Sequence, residues 1–290
     1  MDFNTVTAQF IKPPEKNPWL AELFVLRLDL ADPALGGNKW FKLFRWFDIH
    51  AKQKTTILST MGGPWSNHLV AFSEMCFRTG KTPELWVRGE EPEIKNPRLI
   101  YLAKHGALIN FISRDKYREL REMDAHPLDS TIPFLPEGGR SVEAVSGVKE
   151  KMSPLTHGWP LVLCAAGTGT TAAGLITGAS AGTQVIVFPA LKAVSQIEEN
   201  IKKLTNNFTP DGVNYKVEQA WPELRFGKIT QEIKQFTAEF LKSHDLPLDY
   251  VYTARMMMNL MQGPGRKYLN QARRCLFIHS GGLFMPQNST

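Results

Sequence analysis

Short apolar runs alternating with stretches of helical periodicity constrain this chain's fold more than any other feature. Residues 57–60, 84–87, 107–112, 161–165, 184–188 and 275–279 are each bounded by Gly, Pro or charged residues, the pattern of buried strands. Between them Trp40, Leu43, Phe44 and Phe47 recur at helical spacing, as do Leu69, Val70, Phe72 and Cys76, with Gly80 placed to end the second helix. Residues 197–207 and 230–244 read as further amphipathic helices. Strands alternating with helices predict an α/β protein with parallel sheets. No repeat is visible, and no linker is rich enough in Pro, Gly and Ser to divide the chain. A second domain is therefore expected as an insertion within the first.

Composition closes off other classes. A chain of 290 residues with 43% hydrophobic content can bury one large core or two ordinary ones. Charged residues at 21%, without low-complexity tracts, argue against disorder. The net charge of +6 is dispersed; it is compatible with an acidic small ligand or nucleic acid and demonstrates neither. No apolar run approaches a membrane span, and the opening Met1-Asp2-Phe3-Asn4 lacks a signal-sequence pattern. Cys76, Cys164 and Cys275 lie in apolar stretches without metal-ligand spacing, so they read as reduced core residues of a cytoplasmic protein, and no metal is expected.

Four segments carry chemistry. In Gly36-Gly37-Asn38-Lys39-Trp40-Phe41-Lys42 a glycine pair permits a tight turn just before a lysine. Alone, Lys39 is a surface lysine at a helix start. Lys42, three residues on, projects from the same helical face, and two ammonium groups that close disfavour each other's charge. In Ser59-Thr60-Met61-Gly62-Gly63-Pro64-Trp65-Ser66-Asn67-His68 a strand meets a Gly-Gly turn, and Ser66-Asn67 stand where a helix begins. Free N–H groups there bind anions, though an ordinary N-cap uses the same residues.

The third segment runs from Leu163 through Gly167, Thr168, Gly169, Thr170 and Thr171 to Gly174, a strand, a Gly/Thr loop and a small-residue helix in order. Its N–H groups and hydroxyls suit a phosphate. No lysine follows in the Walker pattern, and no acidic residue is spaced to hold a dinucleotide's ribose, which ranks a nicotinamide-dependent oxidoreductase lower. The fourth is Leu248-Asp249-Tyr250-Val251-Tyr252-Thr253-Ala254-Arg255, with Ile278-His279-Ser280-Gly281-Gly282 near the end. Alone these pass for a strand exit and a turn. In company they suggest that Lys39 forms a Schiff base with a carbonyl cofactor.

The order Gly-Gly-Asn-Lys, Ser-Asn-His, Glu137-Gly138-Gly139, Gly-Thr-Gly-Thr-Thr, Val-Tyr-Thr and His-Ser-Gly-Gly-Leu resembles one family from about Leu35 to Leu283. It is the 1-aminocyclopropane-1-carboxylate deaminase/D-cysteine desulfhydrase group of pyridoxal-phosphate enzymes, within the tryptophan-synthase-β-like fold, fold type II. The resemblance implies two open twisted, mainly parallel sheets flanked by helices. A large cofactor domain (1–50 and 145–290) would then hold a smaller inserted one (51–144). It implies pyridoxal 5'-phosphate as cofactor, a small amino acid as substrate, a homodimer, and neither nucleic acid nor membrane as partner. Lys39 matches the covalent anchor, Asn67 the residue beside the cofactor's 3-hydroxyl, and Ser66, Asn67 and His68 the substrate-carboxylate loop. Gly167, Thr168, Gly169, Thr170 and Thr171 match the phosphate cradle, Thr253 the contact to the pyridine nitrogen, Tyr252 the active-site tyrosine, and Ser280 a further cofactor contact.

Lys39, once freed, is then placed as general base at the substrate α-carbon. The deaminase proper carries Glu immediately after the motif tyrosine, whereas this chain carries Thr253. A neutral partner favours an unprotonated ring and simple β-elimination to a keto acid and ammonia over cyclopropane ring opening. Departures bear on the substrate: Tyr250 replaces a frequent Pro, Ala254-Arg255 a usual Gly-Lys, and in Arg225-Phe226-Gly227-Lys228-Ile229 the last residue takes the place of a second tyrosine.

Overall fold

Two sheets organise the computed structural model, which describes residues 6–16, 18–32, 35–90, 96–123, 126–190, 194–224 and 227–283. The first contains β1 (Ala8–Ile11), β2 (Glu22–Arg27), β7 (Leu161–Ala166), β8 (Gln184–Pro189), β9 (Asn214–Val217) and β10 (Arg274–His279), in the order β1-β2-β10-β7-β8-β9. All its pairs are parallel except β1 with β2. The second contains β3 (Ile57–Gly62), β4 (Thr82–Arg88), β5 (Leu108–Ile112) and β6 (Phe134–Leu135), parallel throughout in the order β5-β4-β3-β6. Every strand of the second sheet therefore lies between strands of the first in the chain.

The six apolar runs read from the sequence are all strands, shifted by at most two residues at either end. The antiparallel β1–β2 pair escapes that reading because β1 is a short edge strand with only Ile11 buried. The segment before Tyr252 is a turn rather than a strand, and Tyr252 itself stands just ahead of a helix without capping it through its side chain. The helix expected over 197–207 is α7 (Val194–Leu204); it stops early because Asn206 and Asn207 adopt φ of 52° and 58°.

Side-chain alternation explains the layers. Leu163 and Ala165 of β7 join one apolar cluster while Val162 and Cys164 join another, so the larger sheet is buried on both faces, as parallel sheets require. A third cluster, built on Leu58, Leu69, Phe72, Leu85 and Val87, covers the smaller sheet. All three cysteines are buried and free. Helix α1 (Asn38–His50) belongs to both parts: Phe41 packs with the larger sheet's cluster, and Leu43, Trp46 and Phe47 with the smaller sheet's. Burying each such side chain contributes about 1.5–3 kcal/mol. Its neighbours α5 (Val142–Thr156) and α6 (Thr170–Gly178) approach at glycines, where a Cβ on Gly147 would stand 2.4 Å from the Phe41 carbonyl oxygen and one on Gly174 2.4 Å from Val148 Cβ.

Candidate active site

The turn bearing Lys39 is seated backbone on backbone. Gly36 and Gly37 adopt φ near +60°, and a Cβ on Gly37 would stand 2.5 Å from the Ser280 carbonyl. A Cβ on Gly281 would in turn stand 2.7 Å from the Gly36 carbonyl carbon. Only glycine pairs can interlock this closely, and the Asn38 N–H completes the joint by donating to the Ser280 carbonyl at 3.2 Å. Ser280 thus meets the lysine turn through its backbone.

From there a series of close contacts joins the other segments. Gly282 is flanked by Asn67 and Asp249: its absent Cβ would lie 2.8 Å from Asn67 Nδ2 and 3.3 Å from Asp249 Cβ. Gly167 lies under the Tyr252 phenol, 3.1 Å from the hydroxyl by the same measure. Gly138 abuts Thr168, and Gly139 abuts His68 and Lys42. The segments singled out in the sequence therefore do converge.

Lys39 is half-buried, and its Nζ donates to Asn38 Oδ1 at 3.1 Å. Burial pulls its pKa from 10.5 down to about 8, while the negative charge of Asp249 opposes the fall. Lys42 is buried and donates to the Gly138 carbonyl at 3.1 Å; burial, then the charge of Lys39, holds it well below the usual lysine value. The two-lysine effect expected from their spacing therefore acts on Lys42.

Asn38 also joins the anchor turn to the Gly/Thr loop, donating through Nδ2 to Thr171 Oγ1 at 2.8 Å. That loop leaves β7 at Gly167 and enters α6 through Gly169, which takes a left-handed conformation with φ 87°. Thr168 and Thr170 share a hydroxyl contact at 3.1 Å, and Asn200 Nδ2 braces the Thr168 carbonyl at 3.2 Å. As at any helix start, the first N–H groups of α6 have no partner within the helix.

Ser66 caps α2 (Asn67–Arg78), its Oγ accepting from the His68 N–H at 3.2 Å, so the ordinary cap is present alongside any other role. Asn67 is oriented by Arg98, whose Nη1 donates to Asn67 Oδ1 at 2.6 Å and to the Trp65 carbonyl at 2.7 Å. That fixes the amide so that Nδ2 faces Gly282. His68 is buried and stays neutral, pushed well below its usual pKa by burial and then by Lys39 and Lys42. Thr60 spends its proton on the Leu135 carbonyl, so His68 Nε2–H donates to Thr60 Oγ1 at 2.9 Å. His68 Nδ1 is left as a buried acceptor without a partner.

Thr253 opens α9 (Thr253–Gln262), and its hydroxyl accepts from the Asp249 N–H at 2.8 Å and donates to Asp249 Oδ2 at 3.1 Å. The Asp249 carboxylate also accepts from the N–H groups of Val251, Tyr252 and Thr253. Tyr252 is held above the usual tyrosine pKa by burial, then by Asp249 and Glu137, and remains a protonated phenol. Of the departures, Arg255 is buried and donates to the carbonyls of Ala190 and Lys228, whereas Ile229 is exposed. Arg225 and Phe226 lie outside the described residues.

Sequence reasoning missed Asp249 and Arg98 as parts of the site. The four-residue spacing of Asp249 and Thr253, a cap ahead of a helix, was a usable signal; Arg98 had none.

No protein-family model matches the chain. A Thermotoga maritima protein provisionally named 1-aminocyclopropane-1-carboxylate deaminase is 26% identical over 284 residues, covering 90% of this chain and 89% of the relative. A protein of Oryza sativa subsp. japonica provisionally named D-cysteine desulfhydrase 2, mitochondrial, is 24% identical over 89% of this chain and 76% of its own length. Among solved structures, an ACC deaminase homologue superposes with a TM-score of 0.75 at 21% identity, covering 96% of this chain and 89% of its own. By sequence the chain is similar to proteins named for 1-aminocyclopropane-1-carboxylate deaminase and D-cysteine desulfhydrase, and its fold is that of the ACC deaminase homologue, the fold type II architecture.

Proposed function

We propose that this chain is a pyridoxal-phosphate-dependent lyase that deaminates a small amino acid by D-cysteine desulfhydrase-like β-elimination to a keto acid and ammonia. The residues fit the cofactor on three counts: a lysine amine with its pKa near 8, a loop-to-helix cradle in which a Cβ on Gly167 would meet a tyrosine hydroxyl, and a buried histidine acceptor awaiting a donor. When bound, the cofactor supplies the electron sink that makes the substrate α-hydrogen acidic.

Everything else falls to the chain. Lys39 Nζ would be the covalent attachment point and the base that moves the α-proton. Gly167, Thr168, Gly169, Thr170 and Thr171 would hold the phosphate, Asn67 would serve the 3-hydroxyl, and Thr253 and Ser280 would serve the ring. Ser66 and Asn67, at the start of α2, would receive the substrate carboxylate, beside His68, whose own N–H donates to the Ser66 hydroxyl. Tyr252, as a protonated phenol, donates to the departing group.

One observation carries the choice of β-elimination. The Asp249 carboxylate is taken up by three backbone N–H groups and by the Thr253 hydroxyl proton, so the group that would serve the ring at this end is a neutral hydroxyl oxygen and not a free carboxylate. The same geometry supports a second reading, cyclopropane ring opening, because a carboxylate stands 3.1 Å behind that hydroxyl. Release of pyruvate and sulfide from D-cysteine supports the first; 2-oxobutyrate from the cyclopropane acid supports the second. Absence of both products from a fully loaded protein would remove the substrate assignment.

A homodimer in the cytoplasm completes the proposal, with lobes of 1–50 and 145–290 against 51–144. The confinement of the smaller sheet's strands to 57–135 supports that division, although α1 contributes to both cores.

A further inference from the structure

Next to the Gly-Gly turn that leads to Ser66, the smaller sheet carries an open pocket of about 410 Å³, and none of its lining residues has a part in the lysine chemistry. Its position follows from topology: β3, β4 and β5 run parallel, and the pocket is bordered by Pro64 beyond β3, Arg88 and Gly89 at the end of β4, and Arg114 beyond β5. Ligands of open parallel sheets bind outside these carboxyl ends. Helix α4 (Arg114–Met123) supplies the far wall. Its Arg114, Tyr117, Arg118 and Arg121 recur at i, i+3, i+4 and i+7, which places them on one face. Tyr117 is buried, and the Arg88 guanidinium lies over its ring at 5.5 Å from the centroid.

Charge decides what fits. Arg88, Arg114, Arg118 and Arg121, all exposed, line the pocket. Arg118 pairs with Asp115 at 3.2 Å and Arg121 with Glu137 at 3.8 Å. Among the described residues, neither Arg88 nor Arg114 has an ion-pair partner, although Glu90 stands exposed nearby in the chain. Guanidiniums present paired donors that match phosphate and carboxylate oxygens, and a volume of this size admits a small molecule.

We propose that this pocket is a second binding site, for a small anion bearing two or more phosphate or carboxylate groups. Its walls lead to the candidate active site by two routes. Pro64 begins the run to Ser66 and Asn67 and is braced by Asn96 Nδ2 at 2.7 Å. Arg121 meets Glu137, whose neighbour Gly138 receives the Lys42 ammonium. Occupancy therefore bears on both segments that border Lys39; this last point rests on the functional reading above, while the binding itself does not.

The test is calorimetric titration of the cofactor-loaded protein at about 0.15 M salt with inorganic pyrophosphate and, separately, citrate; comparing the two separates a phosphate from a carboxylate preference. We expect one site per chain for at least one probe, weakened ten-fold or more in Arg88→Gln/Arg114→Gln. A control, Lys202→Gln/Lys203→Gln on exposed α7 positions, removes the same charge elsewhere and should leave affinity unchanged. Should the double arginine variant unfold, Arg118→Gln with an unaltered melting temperature makes the same comparison. No saturable binding of either probe, or equal loss in the arginine and lysine variants, overturns the proposal. Inactivity on every amino acid would leave this site standing.

Discussion

At the scale of single residues, the lysine turn depends on two properties that a sequence cannot display. One is the tightness of its seat. Gly37→Ala adds a Cβ that would stand 2.5 Å from the Ser280 carbonyl in a backbone with φ +60°, whereas Gly182→Ala, at φ +85°, meets nothing within 4 Å. Strain alone costs about 1 kcal/mol and the clash adds more, so denaturant unfolding should show a loss of about 2–4 kcal/mol for Gly37→Ala and about 1 for Gly182→Ala. The other is the amine's pKa. Since the folded protein holds Lys39 at about 8 against an ordinary 10.5, the unfolded chain binds the extra proton between these values. Stability of the cofactor-free protein attributable to this group should therefore rise as pH increases from about 8 to 10.5. The rate of borohydride-trappable attachment of the cofactor should rise through pH 8 and level off above it, and Lys39→Ala should show no reducible visible band.

Elements set the next level. Helix α9 begins on a cap made by Asp249, and Asp249→Asn removes a charge that both holds the cap and draws the Lys39 pKa upward. We expect a stability loss of about 1–2 kcal/mol and a Lys39 titration midpoint below that of the wild type, read from the pH dependence of attachment. An unmoved midpoint would show that Asp249 does not act on the lysine. Helix α1 depends instead on its neighbours. Gly147→Val places side-chain atoms where a Cβ already stands 2.4 Å from the Phe41 carbonyl, so α1 must shift. The expected cost is about 2–4 kcal/mol, with a visible spectrum altered even where cofactor is retained, because Lys39 rides on the same helix.

Across the whole molecule, ligand binding and fold are linked, because the candidate active site draws on both sheets and on α1. Saturation with pyridoxal phosphate at 100 times its dissociation constant should stabilise the protein by about 2.7 kcal/mol, seen as a raised melting temperature. Thr171→Val, which cuts the bond from Asn38, should reduce that gain while leaving the cofactor-free protein folded. The strands at 57–62, 82–88, 161–166, 184–189 and 274–279 were legible because a strand buried on both faces reads as a mainly apolar run rather than as an alternation. Lys39, the Gly/Thr loop and the Ser-Asn helix start were legible because tight turns and anion-binding helix starts need particular residue types in a particular local order. The sequence by itself thus determined the parallel α/β class and which segments bear chemistry. Tertiary structure alone decided that Arg98 orients Asn67 and that two glycine pairs far apart in the chain interlock. Charge effects and steric fit depend on distance in space, and local pattern carries no record of that distance.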